Sequence, residues 1–249
     1  MNLFLLDKAV EEILWPSNDQ RTVHIGKTLK AKDGDSLDFG VINGPRGKGT
    51  VKWIDGEGVK IVLQWNTQHE SDLLPISLLV GLARPQTSRK VLHQAASLGL
   101  KEVIFFNADK GEPSYAQSSL WEREWKDLLV KGAEQAFSCH LPNCQKITGI
   151  EKSNEFSKLS CKVKIALDIY EAENCLSSVS LEKNASVQLA IGPERGWSAK
   201  ERDWLRQQGF ILCHMGQRVL RQETAFVAAV GCLSHAYWPE RGWDGVKTR

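Results

Sequence analysis

Val187-Gln188-Leu189-Ala190-Ile191-Gly192-Pro193-Glu194-Arg195-Gly196-Trp197-Ser198-Ala199-Lys200-Glu201 is the stretch on which the reading of this chain turns. Its first five residues are almost continuously apolar, the pattern of a strand buried on both faces. A Gly/Pro turn follows. Ser198 with Glu201 three residues later is a capping box that opens a helix ending near Gly209. Strand, glycine-bearing loop and helix in that order form the unit of an open parallel sheet, where ligands sit beyond the carboxyl ends of strands. The loop 192–196 is therefore a ligand candidate, although by itself it is equally the pattern of a tight turn.

The unit recurs immediately downstream. Residues 210–215 form another apolar run, and Gly216-Gln217-Arg218-Val219-Leu220-Arg221-Gln222-Glu223-Thr224-Ala225 leads into an apolar helix reaching about residue 237. Two successive units thus present glycine loops from one edge of a sheet, the second carrying two Arg and a Glu. Upstream, the same grammar begins at Pro75. Residues 76–83 predict a buried strand, 88–98 a helix stopped by Gly99, and 103–106 a second strand. After a loop over 107–119, Trp121, Trp125, Leu128, Leu129, Gly132, Ala133 and Ala136 trace one helix face, with the tryptophans as core. Strands are expected near 145–150 and 163–168. Residues 71–249 read as one α/β domain with a mostly parallel sheet.

Residues 20–65 are different. Runs at 23–29, 36–42, 50–54 and 59–65 are separated by Asp33-Gly34-Asp35, Asn43-Gly44-Pro45-Arg46-Gly47 and Asp55-Gly56-Glu57-Gly58, which predicts a small antiparallel barrel. Residues 66–72 are polar and aperiodic, so the domain boundary is expected there and residues 1–70 form the first domain. Residues 21–52 hold seven Lys or Arg against three Asp. Arg21, His24, Lys27, Lys30, Arg46 and Lys48 are candidate RNA contacts on that surface, joined by Arg84 after the first α/β strand. A solvated barrel face is the alternative.

Composition narrows the field. The chain has 249 residues, 42% hydrophobic and 25% charged, within the globular range. Its net charge of +2, from 32 basic and 30 acidic residues, is too small to mark a nucleic-acid binder by itself. No apolar run approaches a membrane span, and residues 3–6 are followed at once by Asp7, Lys8, Glu11 and Glu12, unlike a secretory leader. A cytoplasmic protein without membrane contact is expected. None of the six cysteines lies in a Cys-x-x-Cys pair, and Cys139, His140 and Cys144 have no second ligand cluster, so reduced thiols and no metal are expected. The phosphate-loop, Gly-x-Ser-x-Gly, His-Glu-x-x-His and dinucleotide fingerprints are absent.

Gly192-Pro193-Glu194 with Gly196, followed by Gly216-x-Arg218-Val219-Leu220-Arg221-x-Glu223-Thr224-Ala225, resembles the C-terminal signature of the RsmE-type ribosomal RNA uridine-N3 methyltransferases of the SPOUT superfamily. His24-Ile25-Gly26, the segment from Lys90 to Gly99, and Ala133-Glu134-Gln135 extend the resemblance over essentially the whole chain. It departs from the family pattern at Arg195, at Asn107-Ala108-Asp109-Lys110, and at 136–140, where an Arg is expected.

The resemblance implies an N-terminal PUA-like β-barrel, a SPOUT-type parallel sheet with a C-terminal trefoil knot, S-adenosylmethionine as cofactor, and a homodimer acting on ribosomal RNA or the small ribosomal subunit. It implies cofactor contacts at Ile191, Gly192, Pro193, Glu194, Gly196, Met215, Gly216, Val219, Leu220, Thr224 and Ala225. Arg221 is the expected catalytic cation, reaching the pocket mouth while Arg218 faces elsewhere, and Glu223 is expected to orient Arg221 or accept the uracil proton. A non-catalytic RNA-binding paralogue and a methyltransferase with another RNA target remain alternatives.

Overall fold

The computed structural model describes residues 3–66, 71–156 and 160–237. The first unit holds strands β1 (Leu3–Leu6) and β2 (Glu12–Pro16), a short helix α1 (Gln20–Val23), and strands β3 (Ser36–Val41), β4 (Arg46–Ile54) and β5 (Gly58–Trp65). The sheet order is β1-β3-β4-β5-β2. β3, β4, β5 and β2 are antiparallel neighbours, while β1 lies parallel to β3. Among the described residues β1 and β2 do not pair with each other, so the sheet is a half-barrel open at one seam rather than the expected closed antiparallel barrel. Its concave side is filled by aromatics, with Phe4 stacked on Phe39 at 5.3 Å and tilted against Trp15 at 5.7 Å.

One expected strand is a helix. At residues 23–29 the apolar alternation suggested extended chain, but Asp19 caps α1 by accepting from the Arg21 N–H, and the turn continues as a π-helical segment over His24–Thr28. Only Ile25 of that run is fully buried, while Val23 is exposed, so the period-two pattern had no sheet face to serve. Local capping outweighed it.

The second unit runs β6 (Leu74–Gly81), α2 (Pro85–Ser97), β7 (Leu100–Phe106), α3 (Trp125–Ala136), β8 (Asn143–Ile147), α4 (Ser153–Phe156), β9 (Val163–Leu167), β10 (Asn174–Cys175), β11 (Val187–Ile191), α5 (Ala199–Gln207), β12 (Ile211–His214) and α6 (Gln222–Ser234). All seven strands are parallel, in the order β10-β12-β9-β11-β6-β7-β8. β6 and β11 are central and carry layers on both faces. Ile76, Leu78 and Val80 meet α2, α3 and α6 residues such as Val91, Ala133 and Phe226. Leu79, Ile104 and Ala190 meet Trp197 and Leu205 on the other side. Each fully buried Leu, Ile or Phe stabilises by about 1.5–3 kcal/mol, which explains why these strands read as apolar runs rather than alternations.

The two units are tied where α3 ends. Glu134 Oε1 accepts from the Leu5 N–H at 3.0 Å, Asn43 N–H donates to the Cys139 carbonyl at 2.8 Å, and Asn43 Oδ1 accepts from Leu141 N–H at 3.0 Å. Arg46 donates to the carbonyl of Phe137, whose left-handed backbone (φ 62°) terminates α3. Asp72, at the end of the expected linker, accepts from Ser138 Oγ at 2.8 Å and faces His140 Nδ1 at 3.1 Å. Residues 67–70 of that linker lie outside the described residues.

Candidate functional site

β12, β9 and β11 are neighbours, so the chain segments leaving their carboxyl ends converge. Residues 168–170, 192–197 and 215–220, together with the start of α6, enclose a cleft of about 860 Å³, its open mouth included. Trp197 is buried, lies flat on Phe106 (5.9 Å between centroids, 2° between planes) and donates from Nε1 to the Leu167 carbonyl at 2.8 Å, pinning the second loop to the end of β9. A Cβ on Gly81 would stand 2.7 Å from Pro193 N, so only glycine lets the end of β6 pass this loop. Ser198 and Glu201 form the expected capping box, and Ser198 Oγ also donates to Asp109 at 2.6 Å, fastening the loop after β7 to the start of α5.

Ten of the eleven expected cofactor residues line this cleft: Ile191, Gly192, Pro193, Glu194, Gly196, Met215, Gly216, Val219, Leu220 and Ala225. Thr224 does not, being exposed on α6. The expected positions of the two arginines are exchanged. Arg218 lines the cleft, whereas Arg221 is the exposed N-cap residue of α6 and lies outside the lining. Glu223 is also outside it, one residue into the helix and turned to Lys90 of α2 at 3.0 Å. Burial works to raise its pKa, but its own backbone N–H, Lys90 and Arg221 outweigh that and hold the carboxyl below its ordinary value.

The third wall comes from residues 168–170, which carry no glycine loop. Asp168 follows β9, and its buried carboxylate pairs with the buried guanidinium of Arg202 from α5. Its other oxygen accepts from the N–H groups of Tyr170 at 2.6 Å and Glu171 at 3.1 Å, which shapes the loop. Tyr170 is thereby left 75% exposed beside the cleft. His214 Nδ1 accepts from the Gly216 N–H at 3.1 Å, leaving Nε2 to carry the proton of a neutral ring. Cys213 also lines the cleft, but burial, with Cys175 adding to it, pushes its thiol up to about 11, so it stays protonated and is no nucleophile. Glu194 meets Arg84 at 3.6 Å. Arg195 and Arg218 leave the mouth of the cleft cationic.

The remaining basic candidates separate into two groups. Lys27 and Lys30 are exposed. Arg21 is held by Asp19 at 2.6 Å over the Trp15 ring, Lys48 is paired with Asp38 across β3 and β4 at 2.6 Å, and Arg46 is committed to Phe137. His24 packs edge-on to Phe4. Arg46 thus fastens the two units while its side chain stays 37% exposed.

Residues 69–234 match the family model described as RNA methyltransferase domain. The chain is 32% identical over 230 residues, 88% of its length and 85% of the relative's, to a protein named ribosomal RNA small subunit methyltransferase E from Treponema pallidum. It is 28% identical to ribosomal RNA small subunit methyltransferase E 1 of Borreliella burgdorferi, covering 92% of this chain and 95% of that one. Among solved structures the fold is similar to a ribosomal RNA small subunit methyltransferase E from Neisseria gonorrhoeae bound to S-adenosyl methionine (TM-score 0.75, 19% identity, 95% of this chain and 98% of that one). It is similar also to a putative methyltransferase from Legionella pneumophila in complex with the same cofactor (TM-score 0.75, 17% identity, 94% and 97%).

Proposed function

The chain belongs to the RNA methyltransferase family, and on that premise we propose that it transfers the methyl group of S-adenosylmethionine to N3 of a uridine in small-subunit ribosomal RNA. The observation that carries the reading is the convergence of the two glycine loops on one cleft with Arg195, Arg202 and Arg218 in its lining. The cleft fits the cofactor. Gly216 has φ +94°, and a Cβ there would meet nothing within 4 Å, so bare backbone borders open space where a ligand can approach. Ile191, Met215 and Leu220 offer apolar walls for a nucleoside, and the backbone of residues 192–196 and 215–220 offers polar groups to orient it. When bound, S-adenosylmethionine supplies a methyl already activated by a sulfonium.

The protein's own task is alignment and charge. Uracil N3 carries a proton and attacks only as the imide anion. Asp168 is engaged by Arg202, Glu194 faces Arg84, Glu223 faces Lys90, and His214 offers a donor rather than a lone pair at Nε2. The cleft therefore lowers the cost of the anion instead of holding a dedicated base. The Arg218 guanidinium stabilises the charge growing on the uracil oxygens, the proton passes to water, and Arg221 outside the lining grips a phosphate. An unstacked uridine is required to reach the cleft.

Further parts of the reading follow the same premise. Residues 1–70 serve as the RNA-binding domain, with Lys27 and Lys30 exposed, and 71–249 as the methyltransferase domain. The segment entering α6 threads as a trefoil knot, in support of which Gln222 Nε2 bonds the carbonyls of Gly81 and Gly192 at 2.8 Å each. The protein works as a homodimer in the cytoplasm, where ribosomal subunits are made. Exposed Val219 and Tyr170 at the cleft and Val227 on α6 favour a covered surface there. Light scattering that gave a mass near 27.9 kDa would argue against the dimer.

Mass spectrometry of small-subunit RNA nucleosides, with and without the gene, tests the function, and N3-methyluridine should disappear with the gene. In single-turnover methylation at saturating cofactor, Arg218→Ala should be slower by roughly a hundredfold to a thousandfold. A greater loss from Arg221→Ala would return the catalytic role to Arg221. No methylation of free RNA, assembled subunits or ribosomes would favour a non-catalytic RNA-binding protein.

A further inference from the structure

Tyr170 lines the cleft and is 75% exposed, a value matched among the large apolar side chains of the described residues only by Val219. Its backbone and its ring are both held. The Tyr170 N–H donates to Asp168 Oδ1 at 2.6 Å, and Asp168 is itself paired with the buried Arg202. The Arg202 guanidinium lies over the ring, 5.8 Å from its centroid, and the Cε2 edge of the ring is 3.6 Å from where a Cβ on Gly196 would stand. Arg202 and Gly196 line the cleft as well, so the ring, and not the Tyr170 backbone alone, borders it. An aromatic ring that is fixed in place and still open to solvent is a stacking surface. Arg195, which precedes Gly196, and Arg218 are exposed in the same lining and complement a polyanion.

We propose that Tyr170 stacks on a base of the substrate RNA that neighbours the methylated uridine. This deepens the methyl-donor reading above and rests on it. A uridine that leaves its stack to enter the cleft uncovers a face of its neighbour, and that loss opposes entry. A ring waiting at the cleft replaces the lost contact, and it serves any base, because every base has a π-face. Two other occupants suit the ring less. Adenine of the methyl donor has apolar walls at Ile191, Met215 and Leu220, none of them as open as Tyr170. A second copy seated on Val227 of α6 does not account for the ring, since Tyr170 leans on Arg202 of α5, and α5 and α6 pack on opposite faces of the sheet.

Steady-state methylation by the full chain of small ribosomal subunits taken from cells without the gene tests the proposal. Tyr170→Ala and Tyr170→Leu should raise KM for subunits by about five- to hundredfold, the range of one lost base–aromatic stack, with kcat within about threefold of wild type. Tyr170→Phe and Tyr170→Trp should keep KM within about threefold, because they keep a ring. Affinity for S-adenosylhomocysteine in calorimetry and mass in light scattering should be the same for all four variants and wild type. Leu performing as well as Phe would make the side chain a mere apolar filler and overturn the inference. So would a fall in kcat at unchanged KM, a loss of S-adenosylhomocysteine affinity as large as the rise in KM, which would make the ring a wall for adenine, or a fall in mass, which would make it a contact between copies. Failure of wild type to bind S-adenosylhomocysteine or to methylate subunits would instead bring down the methyl-donor reading, and this inference with it.

Discussion

Arg202→Met should destabilise the protein far more than removal of an exposed charge. The Asp168 side chain is 1% exposed and that of Arg202 8%, so the pair is buried, and Arg202 also reaches Glu171 at 3.4 Å and lies over the Tyr170 ring at 5.8 Å. Removing the guanidinium leaves the Asp168 carboxylate with two backbone N–H groups and no cation. Breaking a buried pair in this way costs about 3–5 kcal/mol, and for a chain of this size each kcal/mol lowers Tm by about 2–4 °C, so a fall of about 6–20 °C is expected. Thermal unfolding followed by circular dichroism measures it. The drop should persist at high salt, because buried charges are poorly screened. Asp168→Asn combined with Arg202→Met should recover much of the loss, since no uncompensated charge remains. Arg206→Ala is the control: Arg206 pairs with Glu171 at 2.5 Å on the exposed side of the same loop, and its removal should move Tm little. A shift for Arg202→Met no larger than for Arg206→Ala would refute the reasoning.

Gly216→Val should abolish S-adenosylhomocysteine binding in calorimetry while leaving the circular dichroism of the half-barrel unchanged, because a β-branched residue is strained at φ +94° and its side chain would fill the open space there. Unchanged affinity would mean that no ligand approaches that backbone. Glu134→Gln should match or exceed wild type in stability at neutral pH, since burial raises the Glu134 pKa against the opposing Leu5 N–H, Lys131, Arg21 and His24. A raised carboxyl makes the folded state bind protons more readily than the unfolded one. The penalty is therefore absent below the unfolded value, 4.5, and grows as pH rises to the folded one. Urea denaturation in which the variant gained over wild type on acidification would contradict this sign.

The strand-loop-helix units were legible because each local signal agreed with its neighbours: the capping box at Ser198, the apolar run 187–191 and the turn glycines all point to one geometry. The order in which strands lie side by side carries no local signal. Asp168 and Tyr170 escaped for that reason, since nothing in residues 163–170 says that β9 is inserted between β11 and β12. The exchange of Arg218 and Arg221 has the same root. Which of two arginines three positions apart faces the cleft depends on where α6 starts, and it starts at Gln222, making Arg221 its cap. Gln222 carries no local signal because its partners lie 141 and 30 residues away. β1 escaped because four apolar residues ahead of a charged turn fit several structures, and only β3 as a parallel neighbour selects the strand.

The central place of β6 also bears on how the chain is made. One edge of β6 is covered by β7, which ends at Phe106, but the other waits for β11, which pairs Val187 with Ile76 and Ile191 with Val80. About 80 residues separate the two events, roughly 4–16 s at ordinary rates of protein synthesis. Throughout that interval a largely buried strand at the centre of the sheet presents an unpaired edge on a growing polypeptide, the kind of surface that templates aggregation and attracts chaperones. A translational pause between residues 148 and 186 would prolong the exposure, so codon choice in that stretch should affect yield more than the same change made after residue 191.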